Sequence, residues 1–201
     1  MSGRSGIFAG DNPFEITRRW LAEAAEVELN DPNAMSLATV DNQGLPNLRV
    51  VLAKAIEDDA MVFYTNYNSR KGKEIISAGK AATNFHWKTL RRQIRMRGSV
   101  VKVSPQTSDE YYYSRDLGSR IGAWASHQSE VLDSKSDLVK AVAKAQLEHG
   151  AKPKRPSYWG GFRLVPVEIE FWADGKFRLH DRFRWTRADS AGEWQVCRLN
   201  P

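Results

Sequence analysis

Apolar positions along this chain follow two rhythms: a helical one after a few Asn, Ser and Pro signals, and a two-residue alternation across most of the remainder. Asn12-Pro13-Phe14-Glu15 supplies a cap, a proline at the first helical position and a glutamate three residues after the cap, so a helix should begin there. Trp20, Leu21, Ala24, Ala25 and Leu29 would form its apolar stripe until Asn30-Asp31-Pro32 ends it. Strand-like runs follow at Met35 to Val40, Leu48 to Ile56 and Met61 to Thr65, divided by Asp41 to Gly44 and Glu57 to Asp59. Connections this short make antiparallel neighbours. Ser69 to Ala78 reads as a short helix, and Ala81 to Trp87 with Gln93 to Val103 as another strand pair. Ser108 caps a helix running towards Leu117, and Ser134 caps one ending at His149-Gly150. After the loop Ala151 to Pro156 come strands near Phe162 to Trp172, Lys176 to Trp185 and Glu193 to Leu199. The pattern predicts a mainly β member of the α+β class, an antiparallel barrel with peripheral helices. It forms a single domain over residues 11–201, behind a flexible segment 1–10.

Composition narrows the function. Of 201 residues 41% are hydrophobic and 27% charged, as in a globular protein able to bury a core and hold a cofactor. A formal charge of +6 attracts phosphates or nucleic acid without requiring either. One cysteine, Cys197, excludes an internal disulfide and is expected as a buried strand residue. With a start that has no apolar signal core, this favours a reducing, cytoplasmic setting, and no apolar run approaches the roughly 20 residues that span a bilayer. His86, His127 and His149 show no metal-ligand spacing, so no metal is expected.

Several polar constellations stand out. In an extended strand, Arg178, His180, Arg182 and Arg184 share one face, where charges roughly 7 Å apart repel by about 2 kcal/mol at an effective dielectric near 20. A bound anion would relieve this; a solvated basic edge strand has the same pattern. Arg49 and Lys54 bracket the apolar strand Val50-Val51-Leu52-Ala53. Arg70-Lys71 lies just inside a helix start, where backbone N–H groups already favour an anion. In Ser108 to Ser119, a continuous helix would set Tyr111, Arg115 and Ser119 at i, i+4 and i+8, three donors able to grip one phosphate. A surface helix with sideways-packed tyrosines would look similar.

Taken in order, Arg49 to Lys54, Phe63 to Lys71, Ser114-Arg115 with Ser119 to Ser129, Pro156 to Gly161, Arg178 to Arg182 and the terminal Arg198-Leu199-Asn200-Pro201 resemble the pyridoxamine 5'-phosphate oxidase family. The resemblance implies a split β-barrel and a homodimer with FMN at the subunit interface. The implied activity is O2-dependent oxidation of pyridoxamine or pyridoxine 5'-phosphate to pyridoxal 5'-phosphate, with H2O2 released and ammonia from the amine. It places FMN contacts on Arg49, Val50, Val51, Leu52, Ala53, Lys54, Tyr64, Thr65, Arg70, Lys71, Gln93, Gln128, Ser129, Trp172 and Arg182. Substrate contacts fall on Lys54, Tyr111, Arg115, Ser119, Arg178 and His180, with Arg178 and His180 as the catalytic pair. An Arg-x-x-Tyr lid found near the N-terminus of some members is absent from Met1 to Gly10. Two other functions fit parts of the sequence. A nucleic-acid binder would use the pI of about 9.5 and runs such as Lys152 to Arg155, but no stretch interleaves cations with aromatics. A related flavoprotein with another substrate would share the flavin contacts yet have no need of Tyr111, Arg115, Ser119, Arg178 and His180 together.

Overall fold

Short polar turns join the first strands into a meander. In the computed structural model, which describes residues 4–201, β1 (Ala34–Val40) pairs with β2 (Pro46–Ile56), and β2 with β3 (Met61–Asn66). After these come β4 (Lys80–Trp87), β5 (Arg92–Lys102), β6 (Trp159–Ala173), β7 (Asp181–Thr186) and β8 (Gln195–Arg198). The sheet order is β3-β2-β1-β4-β5-β6-β7-β8, and pairing of β3 with β6 closes the first six strands into an antiparallel barrel. β7 and β8 extend the sheet past the closure.

β6 makes the closure possible by serving two neighbourhoods. Its first half pairs with β3, its second half with β7, and β5 lies beside most of its length. The register shifts at Arg97/Gly98 opposite Pro166, which has no N–H to offer the ladder. A Cβ at Gly98 would stand 2.0 Å from the Val165 carbonyl oxygen, so only glycine fits this bulge.

The alternating apolar residues meet inside the barrel: Met35, Leu37, Phe63, Phe85, Ile94, Met96, Phe162, Leu164, Ile169 and Phe171 are all buried. α1 (Pro13–Val27) covers this core, capped by the Asn12 side chain, which accepts from the Phe14 N–H. Its buried face is Phe14, Ile16, Thr17, Trp20 and Ala24; of the residues expected on the stripe, Ala25 is exposed within the helix and Leu29 is exposed beyond the helix end at Val27. Burying rings such as Trp20 is worth about 1.5–3 kcal/mol each. Of the segment expected to be flexible, residues 1–3 lie outside the described residues, whereas Phe8 is buried against Trp20 and Phe183. Arg4, in the same segment, pairs with Asp11 and lies over the Trp185 ring.

Three expectations are corrected. The helix expected from Ser108 starts earlier, as α3 (Pro105–Ser114) capped by Ser104, and breaks at Arg115 before α4 (Leu117–Ala125). The Asp116 carboxylate causes the break by accepting from the Ser119 N–H and the Ser119 hydroxyl, both at 2.7 Å, a cap that ends one helix and starts another. The strand expected over Lys176 to Trp185 begins only at Asp181. Lys176–Arg178 form a tight turn with Phe177 (φ 57°) and Arg178 (φ 64°) left-handed, so Arg178 and His180 are not on the face shared by Arg182 and Arg184. Cys197 is exposed, since β8 is an edge strand and only Val196 turns towards the core. α2 (Arg70–Ala78), capped by Ser69, and α5 (Lys135–His149), capped by Ser134, form as expected. Among the described residues, no helix is long and apolar enough to cross a membrane.

Candidate functional site

A cavity of about 850 Å³ opens between β2, β3, α2 and the α3–α4 corner. That size suits a cofactor together with a small substrate. One wall is the strand segment Val50, Val51, Leu52 and Lys54, where a bulge between Ala53 and Ala55 re-aims Lys54. Ala53 itself faces the core, and Asn33 occupies both its backbone groups, so it offers a ligand nothing.

Lys71 lines the cavity and is 8% exposed, yet its ammonium has only hydroxyl partners, Thr65 Oγ1 at 3.2 Å and Ser69 Oγ at 3.5 Å. Burial, and then the Arg49 charge, depress its pKa below the usual lysine value. A buried cation without a carboxylate is costly unless an anion completes it. The Thr65 hydroxyl donates to Gln128 Oε1 at 3.2 Å, which leaves the Gln128 amide hydrogens for a ligand. Arg70, expected beside Lys71, does not line the cavity: it is exposed and its Nε donates to Glu74.

The opposite wall holds Tyr111, Arg115 and Ser119. They converge through the corner at Arg115-Asp116 and not through the continuous helix that their spacing predicts. Tyr111 stacks on Tyr64 with ring centroids 3.8 Å apart, and Arg115 lies 4.7 Å over the Trp159 ring. Burial pulls the Arg115 pKa down, and its Nη1 is buried with no partner, a donor set that an oxyanion would satisfy. Asp116, also on this wall, is held below the ordinary carboxylate value by the Ser119 amide and then the Ser119 hydroxyl. Sequence reasoning missed it, although Asp before Leu-Gly-Ser is an N-cap signal.

The remaining expected residues gather elsewhere. Gln93, Trp172 and Arg182 are cross-strand partners in one row over β5, β6 and β7. His86 extends the row onto β4, which no sequence argument had joined to it. Glu170, 3% exposed, accepts from Arg182 Nε at 2.9 Å and Arg95 Nη2 at 3.0 Å. Beside the row, the His180 ring is 4.7 Å from Trp172, and its Nδ1 accepts from the Gly175 N–H at 3.2 Å with Asp174 Oδ1 equally near. Arg178 is exposed on its strained turn, and Ser129 is exposed with φ 75°. None of Gln93, Trp172, Arg178, His180, Arg182, Arg49, Arg70 or Ser129 lines the cavity. Among the described residues no cluster of His, Cys, Asp and Glu could hold a metal.

A closed antiparallel barrel with a cavity flanked by two cationic groups that have no ion-pair partner among the described residues defines a split-barrel protein suited to phosphorylated ligands. Comparison with known proteins narrows the class. Residues 21–149 match the family model described as pyridoxamine 5'-phosphate oxidase, and residues 159–201 match the pyridoxine 5'-phosphate oxidase C-terminal dimerisation region. A pyridoxine/pyridoxamine 5'-phosphate oxidase of Roseobacter denitrificans is 60% identical over 201 residues, covering 100% of both chains. Its counterpart in Paracoccus denitrificans is 56% identical over 220 residues, again covering 100% of both. Among solved structures, PhzG from Burkholderia lata in complex with tetrahydrophenazine-1-carboxylic acid superposes with a TM-score of 0.89 at 32% identity, over 96% of this chain and 94% of that one. The chain belongs to the pyridoxamine 5'-phosphate oxidase family.

Proposed function

We propose that this chain is an FMN-dependent oxidase that converts pyridoxamine 5'-phosphate and pyridoxine 5'-phosphate to pyridoxal 5'-phosphate, in the synthesis and salvage of vitamin B6. The observation that carries the reading is one cavity with two anion subsites, Lys71 on one side and Tyr111, Arg115 and Ser119 on the other. Two phosphorylated molecules, cofactor and substrate, need two such subsites. Lys71, Thr65 and Gln128 would hold the flavin, and the Val50 to Lys54 segment would flank it. Bound FMN supplies the hydride acceptor and returns the electrons to O2. The alcohol and O2 then give the aldehyde and H2O2, and the amine with water gives ammonia in addition.

The chain's own residues position and protonate. Tyr111, Arg115 and Ser119 bind the substrate phosphate; the Ser119 proton turns from Asp116 to the incoming oxyanion. His180, whose Nδ1 lies 3.2 Å from Asp174 Oδ1, would accept the substrate's departing proton at Nε2, and Arg178 would orient the ring. These two, with Gln93, Trp172 and Arg182, stand apart from the cavity in one chain and lie within or beside the stretch that matches the dimerisation region. In our reading a homodimer sets this row against the partner's cavity, with FMN between them.

The test is spectroscopic. Purified protein reconstituted with FMN should show a yellow flavin spectrum that bleaches when pyridoxine 5'-phosphate is added without oxygen and returns on admission of air. A yellow protein that stays yellow would point to another substrate, and one that takes up no flavin would end this reading.

A further inference from the structure

Glu74 has no part in the cavity lining, yet it is among the most heavily engaged side chains of the described residues. It lies on α2, 6% exposed, and its two oxygens take four donors. Oε2 accepts from Thr39 Oγ1 at 2.5 Å and Arg49 Nη2 at 3.2 Å; Oε1 accepts from Asn47 Nδ2 and Arg70 Nε, both at 3.1 Å. Each arginine keeps part of its donor set unused, and for Arg70 both terminal amino groups remain. Arg49 is fixed further by the Leu37 carbonyl at 3.0 Å and by Thr39 Oγ1. Burial alone would raise the carboxyl pKa, but the bonds from Thr39, Asn47 and Arg70 and the Arg49 charge outweigh it, so Glu74 stays ionised. Three cations, Arg49, Arg70 and Lys71, less this one carboxylate, leave two positive charges. A phosphate monoester carries about −1.5 to −2 at pH 7.

Building on the flavin reading above, we infer that Glu74 is a positioning residue for the cofactor phosphate: it aims Arg49 and Arg70 and trims the cluster to the charge of a phosphate dianion, while Lys71 makes the buried contact. Glu74 touches no ligand itself. Its effect is therefore confined to the phosphate end of the flavin, which separates it from a general structural role.

The test compares FMN with riboflavin, which lacks the phosphate, by fluorescence titration of the apoprotein. Wild type should bind FMN more tightly than riboflavin. Glu74→Gln should weaken FMN about tenfold or more, the loss expected from a charge-assisted bond, and leave riboflavin affinity within about twofold. Equal losses for both flavins would mean collapse of the pocket and overturn the inference, as would FMN affinity that is unchanged or tighter. If the variant does not fold, Asn47→Ala removes one donor from Glu74 without touching a cation and should give a smaller loss, again for FMN alone; an equal loss for both, or none, would overturn it. Wild type that binds neither flavin would defeat the cofactor reading itself, and this inference with it.

Discussion

Lys71, proposed above to hold the flavin, is a buried cation that costs the ligand-free fold. Its ammonium is buried, answered by two hydroxyls, and its pKa is lowered. A lysine whose folded pKa lies below its unfolded value of about 10.4 destabilises the folded chain while charged in both states. That cost is complete below the folded pKa and fades as pH rises from there to the unfolded value. Glu74 has the opposite sense: its contribution is present above the unfolded carboxylate value of about 4.3 and is lost as pH falls through its lowered folded value. Lys71→Met should therefore stabilise ligand-free protein at neutral pH by about 1–3 kcal/mol of unfolding free energy and abolish FMN binding. The stability difference between variant and wild type should shrink as pH approaches 10. Denaturant melts across pH, with and without FMN, measure this; a variant less stable than wild type at pH 7 would show that the ammonium contributes to the fold.

At the scale of elements, strands were more legible than corners. The alternation in Met35 to Val40, Ala81 to Trp87 and Gln93 to Val103 and the Ser69 and Ser134 caps match elements of the fold, because local burial and capping determine them. Corners failed where one side chain or a tertiary contact overrode the pattern. Asp116 caps α4 and breaks the helix read through it, and the tight approach of Gly175 to the Leu179 carbonyl accompanies the turn that takes Arg178 off the strand. Lys71 and Arg70 were both visible as cations, but which of them would be buried depended on Glu74, four residues after Arg70. The β5–β6 bulge is a sharper case, since nothing around Gly98 in the sequence marks it as the only residue that fits. Gly98→Ala would press a Cβ to 2.0 Å from Val165 O and 2.6 Å from Pro166 Cα, both backbone atoms. We expect a loss of about 1–3 kcal/mol by equilibrium unfolding, as for other overpacked sites. A loss under about 0.5 kcal/mol, the range of an ordinary surface change, would show that β6 slides freely along β5.

For the whole molecule, the division of the expected site residues into a cavity set and a sheet-row set is the central fact. Within one chain, Lys71, Tyr111, Arg115 and Ser119 line the cavity, whereas Gln93, Trp172 and Arg182 form the row over β5, β6 and β7 outside it, with His180 beside Trp172. The second set adjoins β6 to β8, inside the match to the dimerisation region except for Gln93. If the isologous dimer sets each cavity against the partner's row, as proposed above, every site takes residues from both chains. Two variants, Lys71→Met and His180→Asn, then damage opposite halves. Each homodimer carries the same defect in both sites. A hybrid of the two has one site with both defects and one with neither. Co-expression or subunit exchange at equal amounts gives hybrids as about half of all dimers, so activity should recover to about a quarter of wild type from two poorly active parents. Were each site built within a single chain, every site in the mixture would keep one defect, and activity would only average that of the parents.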